Sequence, residues 1–184
     1  MKISTLFIKI YLLLSFLIIT SCEIKAQDNF SIGAYLGSGY ITGNSPSLTS
    51  LNTQVFIQLK TFFPDIFFTR ISFIYNRDID YYFGTRNDYY PFIKGVSLKA
   101  ITYQDLEGNL FLEEGFGFLY INDRTFSDTN SDDFGTAFSF AGGLDMRRFS
   151  SLNVKLGLGL EYGLTFNKTL ADYLSIYLQG EYIF

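Results

Sequence analysis

Residues 152–164 admit very few folds. Leu152, Val154, Leu156, Leu158, Leu160, Tyr162 and Leu164 are large and apolar, while Asn153, Lys155, Gly157, Gly159, Glu161 and Gly163 between them are polar, charged or glycine. A period of two describes a β-strand with two unlike faces. A tilted strand crosses bilayer hydrocarbon in about 9–11 residues, so the apolar face is long enough to span. The face carrying Lys155 and Glu161 must turn away from lipid. A lone strand in hydrocarbon leaves its backbone N–H and C=O groups unpaired, and only a sheet closed into a barrel removes that cost.

The same alternation recurs along the chain, and it predicts an all-β fold of eight antiparallel strands over 30–42, 51–63, 66–75, 92–103, 109–121, 136–147, 152–164 and 173–184. The connections alternate in length. Residues 43–50, 76–90, 122–135 and 165–172 read as long loops, and 64–65 (Pro64-Asp65), 104–108 and 148–151 as short turns. An even strand count with long connections on one side and short ones on the other is the pattern of an up-and-down transmembrane barrel, with both termini on the short-turn, periplasmic side. Glu114 breaks the pattern, because a regular strand would turn it to lipid; a local bulge, or a place nearer the interface, is expected there.

The first residues read as an export signal. Lys2 and Lys9 precede an apolar run over 10–20 that is too short to span as a helix. Two cleavage sites compete: after Ala26, or before Cys22 in a lipoprotein-like Ile19-Thr20-Ser21-Cys22. The first leaves a signal peptide over 1–26, a barrel over 27–184 and no cysteine. Losing three lysines and one glutamate takes the net charge from −4 to about −6, so there is no basic footprint for nucleic acid. Fourteen Tyr and 21 Phe with only three Pro suit an extended sheet edged by aromatic belts.

The chain ends Leu178-Gln179-Gly180-Glu181-Tyr182-Ile183-Phe184. This resembles the terminal strand of outer-membrane barrel proteins, which end on Phe with an aromatic two residues earlier. With the strand count, the whole mature chain resembles the small OmpA/OmpX-type outer-membrane barrel superfamily. The resemblance implies residence in the outer membrane of a Gram-negative-type bacterium, a monomer surrounded by lipid, and delivery through the barrel-assembly machinery by way of Tyr182 and Phe184. A soluble lipocalin-like barrel with its apolar faces inward is the alternative. An eight-stranded interior is too narrow for that many large side chains.

On this parity the inward charges are Lys60, Arg70, Lys99, Arg147 and Lys155 against Glu113, Asp145, Glu161 and Glu181. Counting back from the turns sets Lys99 opposite Glu113, Asp145 opposite Lys155, Lys155 opposite Glu181, and Lys60 unfavourably opposite Arg70. A charge layer of Lys60, Arg70, Lys99, Glu113, Asp145, Lys155 and Glu181 would close the periplasmic third of the lumen, or simply fill it. The alternative is a narrow pore for ions or small solutes, in space left by Gly37, Gly39, Gly115, Gly117, Gly157 and Gly159.

Catalysis has little to rest on. The chain contains no histidine, which removes a Ser-His-Asp arrangement and imidazole-ligated zinc. Asp132 and Asp133 remain as a carboxylate pair in a loop. Asp128, Asn130 and Asp132 alternate like the start of a calcium loop, without its glycine or distal glutamate. No cofactor is expected. Tyr81, Tyr82, Phe83, Tyr89 and Tyr90 in the second long loop read either as part of the outer aromatic girdle or as contact residues for an extracellular ligand or protein. The expected role is structural or surface-interacting, through the external loops.

Overall fold

The computed structural model describes residues 30–43, 46–60, 67–84, 89–126, 128, 130–148 and 152–184. The expected signal peptide, the Pro64-Asp65 turn and residues 149–151 lie outside them. Eight strands, β1 (Phe30–Thr42), β2 (Leu48–Lys60), β3 (Phe67–Asp78), β4 (Phe92–Asp105), β5 (Leu110–Arg124), β6 (Ser131–Asp145), β7 (Val154–Thr165) and β8 (Asp172–Ile183), form one closed antiparallel barrel, with a one-turn helix α1 (Asp80–Phe83) after β3. Each strand pairs with its chain neighbours, and β8 closes on β1 from Ser31↔Ile183 to Thr42↔Asp172.

The register fixes the barrel's shape. From Phe30, the pairing path runs through Leu59, Thr69, Ala100, Phe116, Phe138, Tyr162 and Leu174 and returns to β1 at Tyr40, ten residues along. That stagger tilts the strands by about 40° and leaves an interior that side chains can fill.

Alternation sorts the two faces as expected. Leu36, Val55, Phe73, Leu98, Phe118, Phe138, Leu158 and Leu178 stand exposed on the outside. Phe30, Phe67, Tyr182 and Phe184 mark the lower edge of this belt, and Tyr40, Tyr75, Tyr120 and Phe134 the upper. Water does not support a continuous apolar surface all round a barrel; hydrocarbon does. The inward soluble alternative is therefore overturned.

Three details differ from the sequence reading. β5 runs on to Arg124 and β6 begins at Ser131, so most of the third long loop is strand. The polar Asn122 and Asp132 there read as loop, but a strand needs no apolar face once it rises clear of the belt. Gln104 and Asp105 are likewise paired, with Leu112 and Phe111. Pairing is also unbroken through Glu114, which opposes Thr102 and Phe140, so there is no bulge and its side chain is exposed on the outer face.

Candidate functional site

Inward residues close the lumen in tiers. In the lower tier, Arg70 on β3 crosses to Glu113 on β5 (Nη2 to Oε2, 2.8 Å). It also donates from Nε to Gln58 Oε1 at 2.8 Å and from Nη1 to the Tyr35 hydroxyl. Its guanidinium lies 4.2 Å from the Phe56 ring centroid. Gln179 Nε2 donates to the same Glu113 oxygen at 3.1 Å. Glu181 Oε1 accepts from Ser31 and, at 3.4 Å, from Gln58. Lys155 lies 4.0 Å from Glu113 Oε1 and sits 3.8 Å from the Tyr103 ring centroid. Planar donor forks and shared acceptors make buried charge tolerable here.

The middle tier is a second ion pair. Lys99 on β4 meets Glu161 on β7 across the lumen, and both side chains are fully buried. Glu161 Oε1 also accepts from Gln54 Nε2 at 2.7 Å and from the Tyr173 hydroxyl at 2.6 Å. Beside it Tyr35 and Tyr177 stack at 4.1 Å, 8° from parallel. The Tyr177 ring fills the space above Gly159, where an added Cβ would lie 2.5 Å from the ring.

The upper tier is an apolar cluster rimmed by buried polar side chains, Ser50, Asn52, Asn76, Asp78, Asp123 and Asp133. Ile41, Ile74, Ile93, Leu119, Ile121, Ala137, Ala171 and Tyr173 form one buried cluster, carried near the external ends of most strands. Sequence reasoning left glycine-lined space in this region. Gly157 and Gly159 lie instead against the Phe111 and Tyr177 rings, while Gly37, Gly39 and Gly117 sit where a Cβ would meet the backbone of the paired strand and Gly115 lies against Ser139 and Ile101.

The charge layer needs corrections. Lys99 opposes Gly117, and Glu113 opposes Tyr103, because the β4–β5 turn is centred two residues later than polarity suggested. Lys99 finds Glu161 instead, a residue on the inward parity that the proposed layer omitted. Lys60 opposes Phe68 and is exposed at the end of β2, while Gln58 takes the place opposite Arg70 and relieves the predicted clash. Asp145↔Lys155 and Lys155↔Glu181 hold as backbone register. The Asp145 carboxylate nevertheless turns to Arg147 (2.7 Å) and accepts from Tyr103 at 3.2 Å, at the mouth of the barrel on the side of the short turns. The missed lumen partners, Tyr35, Gln54, Gln58, Tyr173 and Gln179, were visible as inward polar positions; which charge each would serve was not.

The loop candidates separate. Asp132 and Asp133 fall on opposite faces of β6, so they do not form a carboxylate pair. Asp133 is buried and accepts from the backbone of Lys168 at 2.7 Å and of Thr169 at 2.9 Å, tying down the β7–β8 loop. Asp132 and Asn130 both accept from the Asn122 amide, at 2.8 and 2.9 Å. Asp128 is an exposed turn residue. Among the described residues no three acidic or cysteine side chains gather as a metal site.

Among the described residues of the aromatic loop, the rings pack on one another. Arg77 lies 3.3 Å from the Tyr81 ring centroid, and Tyr81 makes edge contacts with Tyr82 (5.2 Å) and Tyr90 (5.5 Å). Tyr89 donates to the Arg124 carbonyl at 2.7 Å. Partial burial raises the Tyr89 phenol above its ordinary pKa, against the lowering pull of Arg124 and Arg77. Tyr81, Tyr82 and Phe83 remain exposed on α1, beyond the end of β3 and above the belt.

No family model matches the chain, and no curated protein matches it. Solved structures do. Neisserial surface protein A superposes with a TM-score of 0.67 over 84% of this chain and 97% of its own, at 9% identity. Ail, the attachment invasion locus protein of Yersinia pestis, superposes with a TM-score of 0.50 over 86% of this chain and 100% of its own, at 13% identity. The chain has the fold of the small outer-membrane barrels. At these identities the likeness concerns the barrel alone; the tiers that close the lumen and the aromatic loop are read from this chain's own side chains.

Proposed function

We propose that this is a non-enzymatic surface protein of a bacterial outer membrane: a monomeric barrel, closed to solutes, that presents the α1 loop to the outside. One observation carries the reading: two ion-pair tiers and an apolar cluster fill the lumen, leaving the external surface as the place where the protein can meet anything. Tyr81, Tyr82 and Phe83 are the natural contact residues, since aromatic rings give large contact area at little entropic cost. They suit a cell-surface molecule or another protein. The remaining parts fit the same reading: an export signal over 1–26, a barrel over 27–184, and outward Tyr182 and Phe184 as the signal to the assembly machinery.

The test is single-channel conductance of the chain from Gln27, refolded in detergent and inserted into planar bilayers, with heat-shifted gel mobility as the folding control. Folded protein is expected to give no discrete steps. Reproducible steps would overturn closure and return the narrow pore to first place.

A further inference from the structure

Glu114 is the one charged side chain within the apolar belt among the described residues. The other outward charges sit at the external strand ends: Arg77 on β3, Lys94 on β4, Arg124 on β5, Asp132 on β6 and Asp172 on β8. Glu114 instead lies four residues into β5, between Leu112 and Phe116. At a rise of about 3.4 Å per residue and a tilt of about 40°, that is roughly 10 Å above the periplasmic start of the strand. Its side chain is exposed, and its carboxylate has no hydrogen bond or ion pair within the described chain. A carboxylate facing hydrocarbon is costly, and such residues mark sites.

The surroundings are shaped. Thr102 stands directly opposite Glu114, and Gln104 continues this polar stripe down to the periplasmic edge, while Gly142 opposite Leu112 leaves the surface bare beside it. Above Glu114 a groove of about 570 Å³ runs up the outer face past Phe116, Phe138, Phe140, Leu160 and Tyr162. A polar foot with an apolar channel rising from it has the form of a phospholipid whose headgroup lies on the periplasmic side and whose chains point to the bilayer centre.

We propose that Glu114 and the groove above it bind a periplasmic-leaflet phospholipid with a primary-amine headgroup, the ammonium meeting the carboxylate and one acyl chain lying along the groove. Charge selects this occupant. A second copy in the same orientation offers no outward cation at this height, because Arg77, Lys94 and Arg124 lie at the other end of the barrel and Lys60 is the last residue of β2, below Glu114, and two facing Glu114 carboxylates repel. An anionic headgroup is repelled likewise. The inference rests on the barrel standing with its termini toward the periplasm.

The experiment is native mass spectrometry of the full mature chain, refolded in detergent and titrated with phosphatidylethanolamine or phosphatidylglycerol of identical acyl chains, for wild type and Glu114→Gln. Heat-shifted mobility confirms folding independently of lipid binding. Wild type is expected to retain the ethanolamine lipid at a concentration at least 5-fold lower than the glycerol lipid, and Glu114→Gln to bring the two within 2-fold. Glu114→Leu, whose side chain suits the belt, serves as the second variant if the first does not fold. Equal retention by wild type, or a preference that survives both substitutions, would overturn the proposal. So would a dimer peak that falls with Glu114→Gln, which would assign the surface to a second copy.

Discussion

Replacing Glu161 by glutamine isolates the energetics of the middle tier. The substitution keeps the side chain's size and leaves an acceptor for Gln54 or Tyr173, but Lys99 then has no anion while its side chain stays fully buried. Removing one partner of a buried pair costs about 3–5 kcal/mol, because the other charge is left uncompensated. With a urea slope of about 2 kcal/mol per molar, the unfolding midpoint should fall by roughly 1.5–2.5 M. Lys99→Met should cost less, since Glu161 keeps its two neutral donors. The double variant Lys99→Met/Glu161→Met should recover most of the loss, retaining a deficit of about 1–2 kcal/mol for the donors of Gln54 and Tyr173 left without an acceptor. The chain has no Trp, so the assay is the heat-shifted band of the folded barrel after equilibration in urea and lipid vesicles, with tyrosine fluorescence as the second probe. A midpoint shift below 0.5 M for Glu161→Gln, or losses of the single variants Lys99→Met and Glu161→Met that simply add in the double, would refute the pairing across the lumen.

Four further outcomes follow from the same geometry. Glu113→Gln should lower the midpoint by an amount comparable to Glu161→Gln, because Arg70 and Lys155 both lose their nearest anion; an unchanged midpoint in urea would count against the lower tier. Gly159→Ala should destabilise by about 1–3 kcal/mol as the new methyl pushes Tyr177 off Tyr35, and Gly159→Ala/Tyr177→Leu should restore part of it in the same assay. Asp133→Ala should free the β7–β8 loop, so that trypsin cuts after Lys168 in the folded variant and not in wild type. Phe184→Ala should slow delivery to the membrane in cells while in vitro refolding into detergent stays within 2-fold of wild type, measured by band shift in both settings.

Strand number, closure and the outward belt were legible because the signal is redundant: eight segments each repeat a period of two, and one misplaced residue cannot hide it. Registers were not legible to the same degree. Polarity ends a strand on paper at Gln104, yet the backbone keeps pairing to Asp105, and that delay moves Lys99 from Glu113 to Gly117. Asp145↔Lys155 survived because its turn was centred correctly. Which acid Lys99 would meet was beyond reach from neighbours alone, since Glu161 approaches across the lumen from three strands away. The glycines misled for a related reason. Their missing side chains read as space, but space in a narrow barrel is what a ring on the neighbouring strand leans into, as Tyr177 does over Gly159. Tyr177 and Tyr173 appeared in the sequence as unremarkable inward residues and turn out to occupy it.

The pairing of β1 with β8 decides when this molecule can come into existence. Phe184 donates its N–H to the Phe30 carbonyl at 3.1 Å, and Ser31 bonds Glu181, so the seam joins the two ends of the described chain. Until the last strand arrives, both margins of the growing sheet expose rows of unpaired backbone groups, and Arg70 lacks the Glu181 carboxylate that β8 brings to 4.0 Å. Contacts so distant in sequence make folding slow and late. Completion comes as a single act of zipping, and a chain shortened by a few residues at Phe184 forfeits more than those residues.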